Sequence, residues 1–255
     1  MIDQCLVITG ACGHIGQLLC KRFLSLGYFL YCLDLEDAFS SFEFFDSLGS
    51  NKVFCIPTDL RDTGSISIAC ETISKDTESL QGIINNAAYY GDVQGFDSLF
   101  EDETYEAWDQ VFKVNAFAPF FLIQRLYPLL RASVSSSSIV NIGTMYTRVG
   151  PDYSMYEGTS MTNPCSYSAS KSALEGLTRW LSTTLSPSVR ANMISPGGVF
   201  RNQDEVFQER YLNKVPLKRF CTEDDVVNLS EFLISDQSSY ITGQNILLDG
   251  GYTIK

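Results

Sequence analysis

The chain has 255 residues, a 45% hydrophobic fraction and a formal charge of −12, which suits one α/β domain with a large core. The acidity argues against nucleic acid or an anionic membrane as the main partner, because both demand a basic face. A single histidine argues against a histidine-based zinc site or a Ser-His-Asp triad, and eight cysteines without a CxxC pair read as small hydrophobes in a reducing cytoplasm.

In chain order, Cys5–Thr9 is the first apolar run of strand length, and the stretch before it has no basic leader, so no targeting segment is expected. The glycine turn Thr9-Gly10-Ala-Cys-Gly13-His-Ile-Gly16 opens a helix predicted over His14–Leu26. A second strand at Phe29–Asp34 ends on an acid, and the aromatic-rich Glu36–Gly49 has room for a short helix. The third strand, Val53–Pro57, precedes Asp59-Leu60 and a helix over Asp62–Ser74; the fourth, Gly82–Asn85, precedes Asn86-Ala87. A long helix is predicted over Tyr105–Leu130, whose most apolar part is interrupted by Pro119, Gln124, Arg125 and Pro128 and falls short of a membrane span. Three further strands at Ile139–Gly143, Val189–Ser195 and Asn245–Leu248 alternate with helices over Ser166–Leu185 and Glu223–Ser235. The segments 145–165 and 200–220 read as substrate-side loops.

Continuous apolar strands separated by helices imply a doubly wound parallel sheet of Rossmann type with helices on both faces, in a single domain over 1–255. Ligands of such sheets bind at the carboxyl ends of the strands, where Gly10, Asp34, Asp59, Asn86, Thr144 and Pro196 all fall. Side chains at Gly10, Gly13 and Gly16 would obstruct the turn, the approach of a diphosphate to the backbone, or helix packing. His14 and Ile15 open the helix whose amino terminus favours that anion. Asp34 lies near the ~20-residue spacing at which an acid grips the ribose hydroxyls of NAD and repels a 2′-phosphate. Asp59 reads either as a cofactor contact or as a cap for the helix beginning near Asp62.

Tyr167 and Lys171 stand four apart in a predicted helix and so share a face. A phenol working as a proton donor and acceptor near neutrality needs its pKa lowered by roughly 2–3 units, which a nearby ammonium and a cationic nicotinamide ring can supply.

With these residues in order, the sequence resembles the short-chain dehydrogenase/reductase family. The matching segments are TGACGHIG at 9–16, DL at 59–60, NNAA at 85–88, VNAF at 114–117, IVNIGT at 139–144, YSASK at 167–171, ISPGGV at 194–199 and ITGQNILLDGGYT at 241–253. The resemblance implies a catalytic set of Asn115, Thr144, Tyr167 and Lys171. It also implies cofactor contacts at Leu60, Ala87, Pro196, Gly197 and Val199, and assembly as a dimer or homotetramer. Asn115 would join a water-mediated proton path with Lys171. Thr144 stands where the family usually has serine, and the glycine spacing is that of the longer, sugar-nucleotide-modifying branch.

The connection from Met145 to Cys165 reads as a pocket wall, with Tyr146, Tyr153, Tyr156, Glu157 and Thr159 as its surface. YEGTSM at 156–161 and SPGGVFRNQ at 195–203 look similar to family members of bacterial flagellin-modification and nonulosonic-acid pathways. That narrower resemblance implies carbohydrate metabolism, with a polar sugar or sugar phosphate as the small-molecule substrate, Arg148 and Arg201 as candidate anion contacts, and no metal. The expected activity is NAD-dependent interconversion of a secondary alcohol and a carbonyl. Two other readings stay open: a non-catalytic NAD-binding regulatory protein, and a sugar-nucleotide epimerase or dehydratase.

Overall fold

Every predicted strand is present in the computed structural model, which describes residues 4–40, 51–90, 100–135, 137–159 and 161–254. They are β1 (Cys5–Thr9), β2 (Phe29–Asp34), β3 (Val53–Pro57), β4 (Gly82–Asn85), β5 (Ser137–Ile142), β6 (Val189–Pro196) and β7 (Asn245–Leu248). They form one seven-stranded sheet in the order β3-β2-β1-β4-β5-β6-β7, with every pairing parallel.

Alternation along each strand divides the core into two layers. On one face, Cys5 and Val7 pack with Ile66 and Ile73 of α3 (Thr63–Asp76) and with Leu122 and Leu126 of α5 (Ala118–Arg131). On the other, Leu6 and Ile8 meet Leu19 and Phe23 of α1 (His14–Ser25) and Val226 and Leu233 of α8 (Glu223–Ile234). Burying each such aliphatic side chain stabilises by about 1.5–3 kcal/mol, so both faces of the sheet hold the fold together. The strand order reverses between β1 and β4, which opens a crevice at their carboxyl ends.

Several expectations need correction. The helix predicted over Tyr105–Leu130 is three pieces: α4 (Tyr105–Phe112), a π turn at Lys113–Phe117, and α5. The segment 200–220 is not all loop but carries α7 (Glu205–Lys214), capped by the Asp204 carboxylate on the Val206 amide. Asp62, and not Asp59, caps α3 by accepting from the Gly64 and Ser65 amides. The short helix after β2 is α2 (Glu36–Ser40); the rest of the predicted stretch, and Met1 to Asp3, lie outside the described residues. The helix bearing Tyr167 and Lys171 is α6 (Cys165–Thr184). Among the described residues no helix is long and apolar enough to cross a membrane, and no cluster of metal-ligating side chains occurs. The cysteines are free thiols, mostly buried as expected.

Candidate active site

The three glycines of the first turn differ in what surrounds them. A Cβ on Gly16 would sit 2.0 Å from the Gly10 carbonyl oxygen, and one on Gly10, which has φ +64°, would sit 2.8 Å from the Ala87 Cα. The protein itself demands both glycines. A Cβ on Gly13 would meet only the Gly10 carbonyl oxygen, at an ordinary 3.4 Å. Its lack of a side chain serves the space in front of it. Gly13 also caps α1 in extended conformation with no side-chain acceptor, so the first-turn amides face that space as a ready anion site.

That space is a cavity of about 840 Å³. It gathers Gly10, Gly13, His14 and Ile15 from the turn, Asp34 from the end of β2, Asp59 and Leu60 from beyond β3, and Asn86 and Ala87 from beyond β4. Gly16 lies beneath the turn and does not line it. Asp34 is fixed by the Cys12 amide on Oδ2 (2.8 Å) and the Leu35 amide on Oδ1 (2.9 Å), so its carboxylate stands at the cavity wall in one orientation. Asn86 holds the turn in place by donating Nδ2 to the carbonyls of Thr9 and Gly10. Sequence reasoning missed Arg61, which lines the same cavity and binds Asp59 through both carboxylate oxygens. Hydrogen bonding to that guanidinium holds the Asp59 carboxyl below its ordinary pKa. The arrangement fits a nicotinamide dinucleotide: an open glycine for the diphosphate, and a fixed acid for a ribose.

A second cavity of about 490 Å³ shares Ile15, Asn86, Ala88, Tyr90 and Arg201 with the first, so the two are lobes of one cleft. It brings together Thr144, Tyr146, Tyr156, Tyr167, Lys171, Pro196, Gly197 and Val199. Tyr167 and Lys171 are 7% and 1% exposed, and the Tyr90 hydroxyl donates to that of Tyr167 at 3.5 Å. Lys171 Nζ donates to the Ile142 carbonyl at 2.7 Å and stands 6.0 Å from the centre of the Tyr167 ring.

The expected lowering of the phenol pKa is reversed in this state. Burial pushes Tyr167 well up, with Tyr90 adding to it, while burial lowers Lys171 to about 7. An ammonium whose charge burial disfavours and which is spent on a carbonyl supports the phenolate weakly.

Asn115 lies outside both cavities. It is 1% exposed, and its carboxamide bonds the Tyr89 amide and carbonyl and the Ser170 hydroxyl, so it ties the end of β4 to α6. The substrate-side expectations divide. The Tyr146 and Tyr156 hydroxyls meet at 2.5 Å in the cavity wall. Tyr153, Glu157 and Thr159 do not line it, because the 3-10 turn Tyr153–Met155 points Met155 inward and leaves Tyr153 58% exposed. Arg148 is ion-paired with Glu175, away from the cavity, and Arg201 borders both lobes while paired with Glu223. Thr162, Asn163, Phe207 and Tyr211 also line the second lobe and were not anticipated. Nor was Tyr90, whose ring stacks on Tyr167 with centroids 4.3 Å apart. Its place two residues after the Asn-Asn-Ala-Ala segment was the signal that could have found it.

Comparison with known proteins agrees with this geometry. Residues 10–253 match the family model described as enoyl-(acyl carrier protein) reductase. The chain belongs to the short-chain dehydrogenase/reductase family. A family relative, post-translational flagellin modification protein A of Campylobacter coli, is 24% identical over 98% of each chain. The 3-oxoacyl-acyl-carrier-protein reductase FabG of Thermotoga maritima is 30% identical over 97% of each. A short-chain dehydrogenase of Leptospira borgpetersenii, solved with bound NAD+, superposes with a TM-score of 0.86 at 31% identity, covering 98% of this chain and 93% of that one. The protein is therefore an oxidoreductase of a family that binds nicotinamide cofactors.

Proposed function

We propose that this protein is a single-domain NAD-dependent enzyme that interconverts a secondary alcohol and a carbonyl on a polar, sugar-like substrate. The observation that carries the reading is the junction of the two lobes, where Tyr167, Thr144 and Lys171 adjoin a glycine turn whose middle glycine is open to the cavity. A nicotinamide dinucleotide held by the glycine turn and Asp34 would supply or accept the hydride. The protein does the rest. The Thr144 hydroxyl donates a hydrogen bond that holds the substrate oxygen, and Tyr167 gives that oxygen a proton on reduction or takes one on oxidation. Lys171 favours the phenolate once an anionic ligand beside it restores its charge. Asn115 keeps α6 in register with the end of β4.

Asp34 supports NAD over NADP: each oxygen accepts one amide hydrogen, leaving capacity for ribose hydroxyls, and its charge repels a 2′-phosphate. Arg61 does not reverse this, because Asp59 offsets its charge. The flagellin-modifying relative and the hydroxyl-rich Tyr146 and Tyr156 wall support a carbohydrate substrate. A family habit of assembling through long helices supports a dimer or tetramer, and free thiols fit the cytoplasm.

The test is NADH absorbance against sugars, sugar phosphates and polyols in both directions, with NADPH in parallel. Turnover on a polar sugar with NAD(H) preferred is the expected result. Turnover only on acyl thioesters, or equal use of NADPH, would overturn the substrate or cofactor assignment respectively. Asp34→Ala should narrow the preference.

A further inference from the structure

Helix α7, absent from the sequence reading, brings Tyr211 against the turn Pro196–Val199. Tyr211 is 1% exposed, and its hydroxyl oxygen accepts from the Gly198 amide at 2.7 Å. The fit is close: a Cβ on Gly197 would lie 2.7 Å from that hydroxyl, and one on Gly198 would lie 2.9 Å from the ring Cζ. The ring itself stacks with Phe220, at 4.7 Å, Tyr252, at 5.6 Å, and Phe207, at 5.9 Å, all nearly parallel to it.

The other amides of the turn are spoken for as well. Gly197 donates to the Leu248 carbonyl and Phe200 to the Cys221 carbonyl. Within Gly197–Phe200, the Val199 amide alone has no protein partner among the described residues. Val199 lies in the parallel bridge to Cys221, in which its neighbours make the bonds and its own amide does not, and the residue lines the cleft.

We infer that Tyr211 is a positioning residue for the nicotinamide end of the cofactor: by taking up the Gly198 amide it fixes the turn so that Val199 presents the one available donor. The inference rests on the dinucleotide reading above. The Gly198–Val199 peptide is anchored through its carbonyl by the Cys221 amide, whereas the Gly198 N–H is held only by the Tyr211 hydroxyl; without it, that N–H is left free to compete with the Val199 amide as the donor facing the cleft. The adenosine end of the cleft, walled by Asp34 and the first glycine turn, is untouched by this contact.

The test compares NADH, which carries the nicotinamide, with ADP, which lacks it, by fluorescence titration and by displacement. Tyr211→Phe keeps the stacked ring and removes only the acceptor; Gly198→Ala drives the ring off by the close Cβ contact. For both variants NADH affinity should fall about tenfold while ADP affinity stays within twofold, and kcat should fall more than the substrate KM rises. A general loss of structure would weaken both ligands together, and that result overturns the inference. So does unchanged NADH affinity in both folded variants while the wild type binds NADH normally, which leaves the cofactor reading intact. Failure of the wild type to bind NADH at all overturns the reading and the inference together.

Discussion

A hydroxyl at position 144 separates an enzyme from an inert binder. Thr144 keeps the donor that the family's serine provides and lines the same lobe as Tyr167, so Thr144→Ser should retain activity while the near-isosteric Thr144→Val should lose roughly 10²-fold in kcat. Equal rates for wild type and Thr144→Val would show the hydroxyl idle. Tyr167→Phe should abolish turnover yet leave NADH binding nearly intact, since the ring still packs against Tyr90; substantial turnover by this variant would refute the proton-transfer role. Lys171 adds a pH signature. Its ordinary pKa of 10.5 falls to about 7 in the folded protein, so between those values the unfolded chain holds the extra proton. Stability therefore rises with pH across that window, and the cost of burying the charge is fully present below about pH 7. From pH 7 to 9 the wild type should gain up to about 1.4 kcal/mol per pH unit more than Lys171→Met, as read from denaturant midpoints. Parallel curves would mean that Lys171 keeps its charge when buried. Thr144 was legible from its place just beyond a strand end, and Tyr167 and Lys171 from their spacing of four on one helix. The perturbed pKa values were not, because burial and the Ile142 contact depend on packing that spacing does not encode.

Helix α6 depends on a cap from elsewhere in the chain. Its N-cap residue, Pro164, offers no side-chain acceptor, and the Glu103 carboxylate supplies one to the amides of Cys165 and Ser166. Glu103→Ala should cost about 1–2 kcal/mol and lower the thermal midpoint by a few degrees; an unchanged midpoint would mean the cap is idle. No local pattern announces such a cap, because the partners are distant in sequence. Strands, by contrast, read off to within a residue or two at their ends, since burial on both faces makes the inner ones continuous apolar runs and the edge strands β3 and β7 keep apolar cores. Helix α7 carried a cap at Asp204 and a basic last turn at Lys214, but it buries only Phe207 and Tyr211, too narrow a stripe for periodicity to detect. The π turn at Lys113–Phe117 escaped notice for a related reason: its extra residue barely disturbs a stripe that stays apolar from Val111 to Leu130.

Across the whole molecule, the doubly wound order places the reversal between β1 and β4 in front of α1, so one cleft runs from Asp34 to Tyr167. Gly13 stands on that path, and the fold alone does not require it. Gly13→Val should fold with a loss of about 1 kcal/mol, the difference in capping preference, whereas Gly16→Val should not fold because its Cβ meets the Gly10 carbonyl oxygen at 2.0 Å. The most direct measurement is therefore an NADH fluorescence titration of wild type and Gly13→Val, each with its thermal transition recorded. The cleft as a dinucleotide site predicts that the wild type binds, and that the folded Gly13→Val protein binds at least ~10-fold more weakly. Equal affinity in the two proteins, or no binding by the wild type, would contradict it.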